Sequence, residues 1–444
     1  FMNIQISEHF TYGKLLRFTL PSIVMMAFSS IYGVVDGVFV SNFAGAEAFA
    51  AVNLIIPFLM ILGAVGFMLG TGGSALVSFT LGTGDERRAN EIFSMLIYVL
   101  LAIGVVFTIG GILLMEPVAR FLGADEQMAP ICVTYGRIVL AALIPFMLQN
   151  TFQSFLVTAE RPNFGLYITV AAGVSNMVLD ALFIAVFHWG VVGAALATSI
   201  SQMIGGMIPL VYFIVPNRSK LHLCRAALDM RTLGKACANG SSEFMTNVSM
   251  SLVNMLYNWQ LMRLMGADGV AVFGVIMYVN FIFLSVFLGY SIGSAPIVSF
   301  HYGAGNQGEL RGLLRKSVLL TAVTSILLTM AALLLARPLS VIFMSYDVAL
   351  LSTTIRAFSI YALSFLIVGF NIYASSFFTA LNDGLTSALI SFARTLAFQI
   401  AAILILPVIW GIDGVWGAVI AAEALALLLS IDCLMRNRKK YGYA

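Results

Sequence analysis

Charged side chains are scarce in this chain: 10% of its 444 residues, against 60% hydrophobic. Soluble domains carry about 25% charged and 45–50% apolar residues, so a water-soluble globule is excluded. Cysteine is nearly absent as well. Cys132, Cys224, Cys237 and Cys433 are scattered without CxxC spacing, and His9, His188, His222 and His301 are equally dispersed. Neither a disulfide framework nor a zinc site is therefore expected. The chain also lacks HExxH and a Walker-type lysine, which removes zinc proteolysis and ATP hydrolysis. Its apolar runs are continuous rather than alternating, so helices and not barrel strands are the spanning form.

Twelve such runs occur, at about 15–40, 48–80, 91–115, 131–158, 164–187, 191–215, 238–264, 270–300, 313–335, 350–380, 385–409 and 414–435. Each is long enough to cross a bilayer, which takes about 20 residues. The net charge of +3 says little, but its distribution says more. Of the 23 Lys and Arg, 17 fall on one side: the N-terminus, alternate loops, the stretch Arg218 to Lys235, and the tail Arg436 to Lys440. The positive-inside rule then predicts cytoplasmic termini, and an even number of spans agrees. The first run is too long for a signal-peptide core and lacks a small-residue cleavage site, so no cleavable signal is expected. The basic tail reads as an anchor against anionic lipid, with no nucleic-acid partner.

Displaced by 221 residues, the sequence matches itself without a gap. Gly45-Ala46-Glu47 falls on Gly266-Ala267-Asp268, Gly82-Thr83-Gly84-Asp85 on Gly303-Ala304-Gly305-Asn306, and Gly190/Gly193 on Gly411/Gly414. The repeat holds six spans, so both copies share one orientation, as in parallel-repeat transporters. The fold expected is an all-α polytopic membrane protein: twelve transmembrane helices as two parallel six-helix repeats around a central cavity. The N-lobe occupies residues 1–217, a cytoplasmic linker 218–235, and the C-lobe 236–444 with the basic tail.

Asp36 stands in the middle of the first span. An acid at mid-bilayer costs about 2.5–3.5 kcal/mol on insertion scales and marks a cation or proton site more often than a packing device. Asp180 repeats the pattern in the fifth span. Tyr32 and Asp36, Asn176 and Asp180, and Ala194 and Thr198 are each four apart and share a helix face. Facing helices then present two carboxylates, an amide, a hydroxyl and a backbone carbonyl to one point. Such a set suits Na⁺, and two close carboxylates suit a shared proton equally well. Tyr32 either orients Asp36 or simply packs. The second copy places Tyr257, Ala397, Ala401 and Val419 at the positions of Asp36, Asn176, Asp180 and Thr198, so the polar set belongs to one lobe.

In the other lobe, Glu243 is the acid deep in span seven, with Asn247 on the same face. It reads either as a second ion or cationic-substrate site or as an acid snorkelling to water. Arg394 is the base deep in span eleven and is expected to pair internally or to line the cavity. Pro21 interrupts span one and frees a backbone carbonyl, so the helix can bend there. The 22 Met and 34 Phe suit a cavity wall for varied greasy ligands, although lipid-facing surfaces use them too. Enzyme-like matches fail on context. Gly289-Tyr290-Ser291-Ile292-Gly293 lies inside an apolar span rather than a strand–turn–helix, and Gly82-Thr83-Gly84-Asp85 leads directly into Glu86-Arg87-Arg88.

The runs Gly72-Gly73-Ser74-Ala75-Leu76-Val77-Ser78 with Gly82-Thr83-Gly84-Asp85, and Ser294 through Asn306, resemble the paired signatures of the multidrug and toxic compound extrusion (MATE) family. Gly190-Val191-Val192-Gly193 and Gly411-Ile412-Asp413-Gly414 resemble its later motifs, and Tyr32-Gly33-Val34-Val35-Asp36 its span-one pattern. The resemblance implies a twelve-helix, two-lobed exporter of organic cations and other amphiphiles coupled to a cation. It maps the family's N-lobe ion site onto Asp36, Asn176, Asp180, Ala194 through its backbone, and Thr198. The family's span-one proline maps onto Pro21, and Glu243 matches the span-seven acid of some members. The companion acid those members carry in span ten has no equivalent here, Asn371 being the nearest polar residue.

The expected activity is antiport of Na⁺ or H⁺ against small amphiphilic, cationic substrates by rocking alternating access, with no cofactor and no enzymatic step. The expected place is the cell (inner) membrane, in contact with lipid, as a monomer with both termini cytoplasmic. A lipid-linked saccharide flippase of the wider superfamily is the alternative, and the scarcity of cavity bases speaks against it. An ion channel would need a pore without alternating lobes.

Overall fold

The computed structural model describes residues 4–444, and its regular structure among them is helical throughout. The helices are α1 (Tyr12–Phe39), α2 (Ala46–Gly82), α3 (Glu86–Phe121), α4 (Met128–Ala141), α5 (Leu143–Thr158), α6 (Pro162–Asp180) and α7 (Gly190–Ile214) in the first half. The second half holds α8 (Met230–Met265), α9 (Ala267–Gly303), α10 (Gln307–Met344), α11 (Val348–Ala362), α12 (Phe365–Ala380), α13 (Gly384–Phe392), α14 (Phe398–Trp410) and α15 (Ile412–Tyr441). Three π-helical segments continue α1, continue α6, and join α13 to α14: Val40–Ala44, Ala181–Val186 and Ala393–Ala397.

The twelve expected spans are all present. Nine helical segments are individually long and apolar enough to cross a membrane. Two more spans are bent pairs, α4 with α5 at 57° and α11 with α12 at 43°. The breaks fall at Ala142 and at Leu363–Ser364, corresponding places in the two copies. In the first copy Pro145 supplies a cause, since it offers no N–H and its ring crowds the carbonyl of Ala141. The twelfth span is α8, long enough at 36 residues but less apolar than the others because its first half is polar.

The repeat is visible in the caps. Asp85 accepts from the Arg88 amide at the start of α3, and Asn306 accepts from the Glu309 amide at the start of α10. The acid of the protease-like Gly-x-Gly-Asp run is thus a helix cap, which an amide replaces without loss. Gly84 and Gly305, just before these caps, both have positive φ, +89° and +69°.

Each half has its own apolar core, the first running from Val40 to Ala236 and the second from Val253 to Ala422. A third cluster joins Ile6, Phe10 and Phe18 to Phe377, Tyr441 and Tyr443 at the end that carries both termini. Glu309 on α10 also holds the N-terminal segment, accepting from the Phe10 amide at 2.9 Å and from His9 Nδ1 at 2.6 Å.

The lobes meet where α1 packs on α9 and α2 packs on α8 and α9. Glycines make this approach close. A Cβ on Gly240 would stand 1.9 Å from the Met68 carbonyl oxygen, one on Gly72 2.2 Å from that of Ala236, and one on Gly303 2.1 Å from that of Phe79. Asn239 donates to the Gly72 carbonyl at 3.2 Å, and the Ser299 hydroxyl donates to the Ala75 carbonyl. These residues lie in the half of the bundle nearest the termini, which is therefore sealed. α1 passes through Pro21 as one helix.

Between α7 and α8 the chain runs along α3 as a strap. His222 N donates to Asn90 Oδ1, Cys224 N donates to Ser94 Oγ, and the Tyr98 hydroxyl donates to the Cys224 carbonyl. Asp229 then caps α8, accepting from the Thr232 amide and hydroxyl and from Arg88 Nη2. The Thr232 hydroxyl and amide, with Arg88, hold its carboxyl down at about 2. A depressed carboxyl stabilises the fold above the ordinary carboxylate pKa and loses that contribution as pH falls toward its own. The thermal stability gap between wild type and Asp229→Ala is therefore expected to be constant above about pH 4 and to close toward pH 2. A gap that persists at pH 2 in thermal melts would contradict this assignment.

Candidate functional site

Two chambers open in the half of the bundle away from the seam, one within the N-lobe and one between α1 and the C-lobe, and both touch α1 at Met26. The N-lobe chamber has a volume of about 340 Å³, and α1, α2, α4, α5, α6 and α7 line it. Its wall is apolar at Met60, Phe67, Leu143 and Phe146 and polar at Tyr32, Asp36, Asn176 and Thr198. Asp180 stands behind that wall with 0% exposure, on the last residue of α6 before the π-segment. The π-turn shifts the helical register directly after the acid, a distortion common at functional sites.

The Asp36 and Asp180 carboxyl groups are neighbours. Among the described residues, no cationic side chain lines the chamber. Asp36 Oδ1, both oxygens of Asp180, Asn176 Oδ1 and Thr198 Oγ1 are all buried, and no protein donor reaches any of them. A cluster of unpartnered buried acceptors is costly unless a cation or a proton satisfies it. The donor set is all oxygen, the type preferred by hard cations.

Four of the six residues expected here, Asp36, Asn176, Asp180 and Thr198, are thus brought together. Ala194 is buried one turn before Thr198 on α7 and does not line the chamber. Tyr32 lies alongside, its ring 5.9 Å from that of Phe28 and its hydroxyl beside Gln149 and Ser29. Sequence reasoning missed Tyr135, a buried α4 tyrosine whose hydroxyl end adjoins Thr198, Asp36 and Asp180. Nothing in the spacing within α4 marks it, because its neighbours come from three other helices.

The C-lobe chamber, about 190 Å³, has a different floor. Arg394, inside the π-segment between α13 and α14, donates from Nη1 to Glu423 Oε1 on α15 at 3.2 Å. Asn371 donates to Glu423 Oε2 at 2.7 Å and accepts from Ser430 at 3.1 Å. Glu243, Asn247 and Asn371 do not converge. Asn247 donates to the Glu243 carbonyl of its own helix, Glu243 faces Arg394, and Asn371 serves Glu423. Arg394 does both things expected of it, pairing internally and lining the cavity. The second lobe is nevertheless charged, at Arg394 and Glu423, where the first copy carries Gly173 and Gln202. Glu423 was legible by the criterion that singled out Asp36, as a lone acid in mid-span.

Two six-span bundles, sealed at one end and enclosing chambers at the other, define a two-lobed integral membrane protein. The MatE family model matches the chain twice, over residues 21–182 and 244–405, once in each half. The chain belongs to the MatE family of transporters. It is 22% identical over 432 residues to the "Multidrug export protein MepA" of Staphylococcus aureus (strain MSSA476), covering 96% of this chain and 94% of that one. Among solved structures it resembles a MATE in complex with MaL6, with a TM-score of 0.93 at 21% identity over 99% of this chain and 98% of that one. It is equally similar, at TM-score 0.93 and 22% identity over 99% and 98%, to the outward-facing conformation of a multidrug resistance MATE family transporter of the MOP superfamily. At these identities the structural likeness establishes the fold.

Proposed function

We propose that the protein is a cation-coupled antiporter that exports small amphiphilic, cationic compounds. Na⁺ or H⁺ enters the Asp36–Asp180 pocket down its gradient, and the lobes rock to return a substrate to the far side. The observation that carries this reading is the pair of adjacent buried carboxylates that no protein donor reaches. The apolar, methionine-bearing walls of both chambers suit varied greasy ligands. The multidrug export named for the MepA relatives supports drug-like substrates. A potential of 100 mV supplies about 2.3 kcal/mol per charge moved, and a tenfold ion gradient about 1.4. Coupling follows if ion and substrate each favour a different state.

The distribution of Lys and Arg supports cytoplasmic termini in the inner membrane, and the chambers within a single chain support a monomeric unit. A lipid-linked saccharide flippase would capture an anionic headgroup with several cavity bases. Arg394 is the base in these chambers, and Glu423 already holds it.

Ethidium efflux from proteoliposomes under an imposed sodium or pH gradient tests the reading, with wild type beside Asp180→Asn. The expected result is efflux driven by one of the two gradients and lost in the variant. Sodium-driven efflux assigns the pocket to Na⁺, and efflux driven by pH alone assigns a shared proton. No efflux under either gradient overturns the proposal in favour of the flippase.

A further inference from the structure

The two lobes keep one frame and exchange their charges. In the 221-residue register, Gln202 corresponds to Glu423, Asn150 to Asn371, Gly173 to Arg394, and Asp36 to Tyr257. In the N-lobe, Gln202 Oε1 and Asn150 Nδ2 have no protein partner. Gly173 is bare there for a reason, since a Cβ would stand 2.4 Å from the Phe28 ring and 2.6 Å from that of Tyr32. In the C-lobe the same positions carry an acid, its amide support and a base. Both Glu423 oxygens are taken, Oε1 by Arg394 and Oε2 by Asn371, and the side chains are only 3% and 11% exposed for Glu423 and Arg394. Glu243, on α8, lies within electrostatic reach of the same guanidinium, without an ion-pair contact and without lining the chamber. Tyr257, in the place of Asp36, donates its hydroxyl to Gln399 at 3.0 Å. The N-lobe site therefore presents acceptors that need a cation, whereas the C-lobe site carries its cation on the chain.

We propose that Arg394 is the specificity-determining residue of the C-lobe chamber. Its guanidinium, tethered to Glu423, fills the role a mobile cation fills in the other lobe. The chamber then receives the apolar and aromatic body of a substrate and rejects a second positive charge. Arginine is suited to this because it stays charged at every accessible pH, and here its Nη1 is held by one oxygen of Glu423 while Nε has no protein partner. In a cavity screened from water, a further cation near it is repelled far more strongly than in solution. Without Arg394, Glu423 and Glu243 stand uncompensated beside the chamber, and a dication becomes the favoured ligand. The inference rests on the export reading above and adds to it the charge number of the substrate.

Ethidium and propidium test it, because they share a phenanthridinium ring and propidium adds a quaternary ammonium. Wild type in proteoliposomes is expected to prefer ethidium. R394Q is expected to raise the propidium-to-ethidium ratio about 10-fold, equivalent to about 1.4 kcal/mol. R394K keeps the wild-type ratio, and R394Q/E423Q, which restores the wild-type net charge beside the chamber, returns to it. The ratio is internal to each variant, so a partly misfolded preparation lowers both rates without mimicking the effect. An unchanged ratio in R394Q, with or without loss of both rates, overturns the proposal and leaves Arg394 a structural residue. If wild type moves neither dye, the export reading fails instead, and equilibrium dye binding to the purified protein reads the same ratio.

Discussion

Asp36→Asn is expected to abolish export and to leave the protein folded. The pocket places two carboxylates side by side, and five of its buried acceptor oxygens, three of them from those carboxylates, meet no protein donor. Removing one charge from such a group costs about 3 kcal/mol of interaction with its counter-charge, a roughly 10²-fold loss of ion affinity. The fold responds in the opposite sense. An asparagine amide supplies the donor that Asp180 lacks, so the variant satisfies its own pocket without an ion. Export of ethidium is therefore lost while the melting temperature stays level or rises. Normal export by the variant sinks the assignment of this pocket. A collapse of the melting temperature would make Asp36 a packing residue, the alternative the sequence left open.

Gly240→Ala is expected to open the seam. The added Cβ would stand 1.9 Å from the Met68 carbonyl oxygen and 2.7 Å from its carbon, a backbone against a backbone with no side chain to yield. α2 and α8 must separate to admit it, at a cost of about 1–3 kcal/mol against this arrangement. Alanine's better helix propensity returns about 0.5–1 kcal/mol, but to every arrangement in which α8 is helical. The sealed state thus loses roughly 5–150-fold in population relative to one with the seam apart. Cys237, half-buried one turn before Gly240, reports the change. Its alkylation by a maleimide, followed by mass spectrometry at that site, is expected to accelerate about tenfold. Gly274→Ala is the control, because nothing lies within 4 Å of its Cβ. Equal Cys237 rates in wild type and Gly240→Ala would show that the seam does not gate access from this end.

Both variants test features that differ in how far the sequence revealed them. Asp36 and Asp180 were visible because a charge in an apolar run is costly wherever the run goes, and their four-residue company fixed the helix face. Tyr135 was invisible for the converse reason: a tyrosine in an apolar span costs little, and its role comes from α1, α6 and α7 arriving beside it. Glu423 carried the same alarm as Asp36, but its partner Arg394 comes from another helix, and its mate in the repeat is the uncharged Gln202. The glycines at the seam were legible as a motif, Gly72-Gly73, but not as a contact with Ala236 and Gly240, 164 and 168 residues away.

The sequence by itself determined the twelve spans, the two-fold repeat and the family. These follow from run length, charge placement and self-similarity, all of which are local or additive along the chain. It also marked Asp36 and Asp180 as carboxylates in want of a cation or a proton, because their desolvation cost does not depend on the fold's details. Only the tertiary structure decided what stands opposite each buried charge. It left the N-lobe carboxylates without a donor, gave Glu423 both Arg394 and Asn371, and pressed Gly240 onto Met68. Helical periodicity tells which face a residue occupies, but partners across a helix interface are set by how whole helices pack, and no spacing within one helix encodes that.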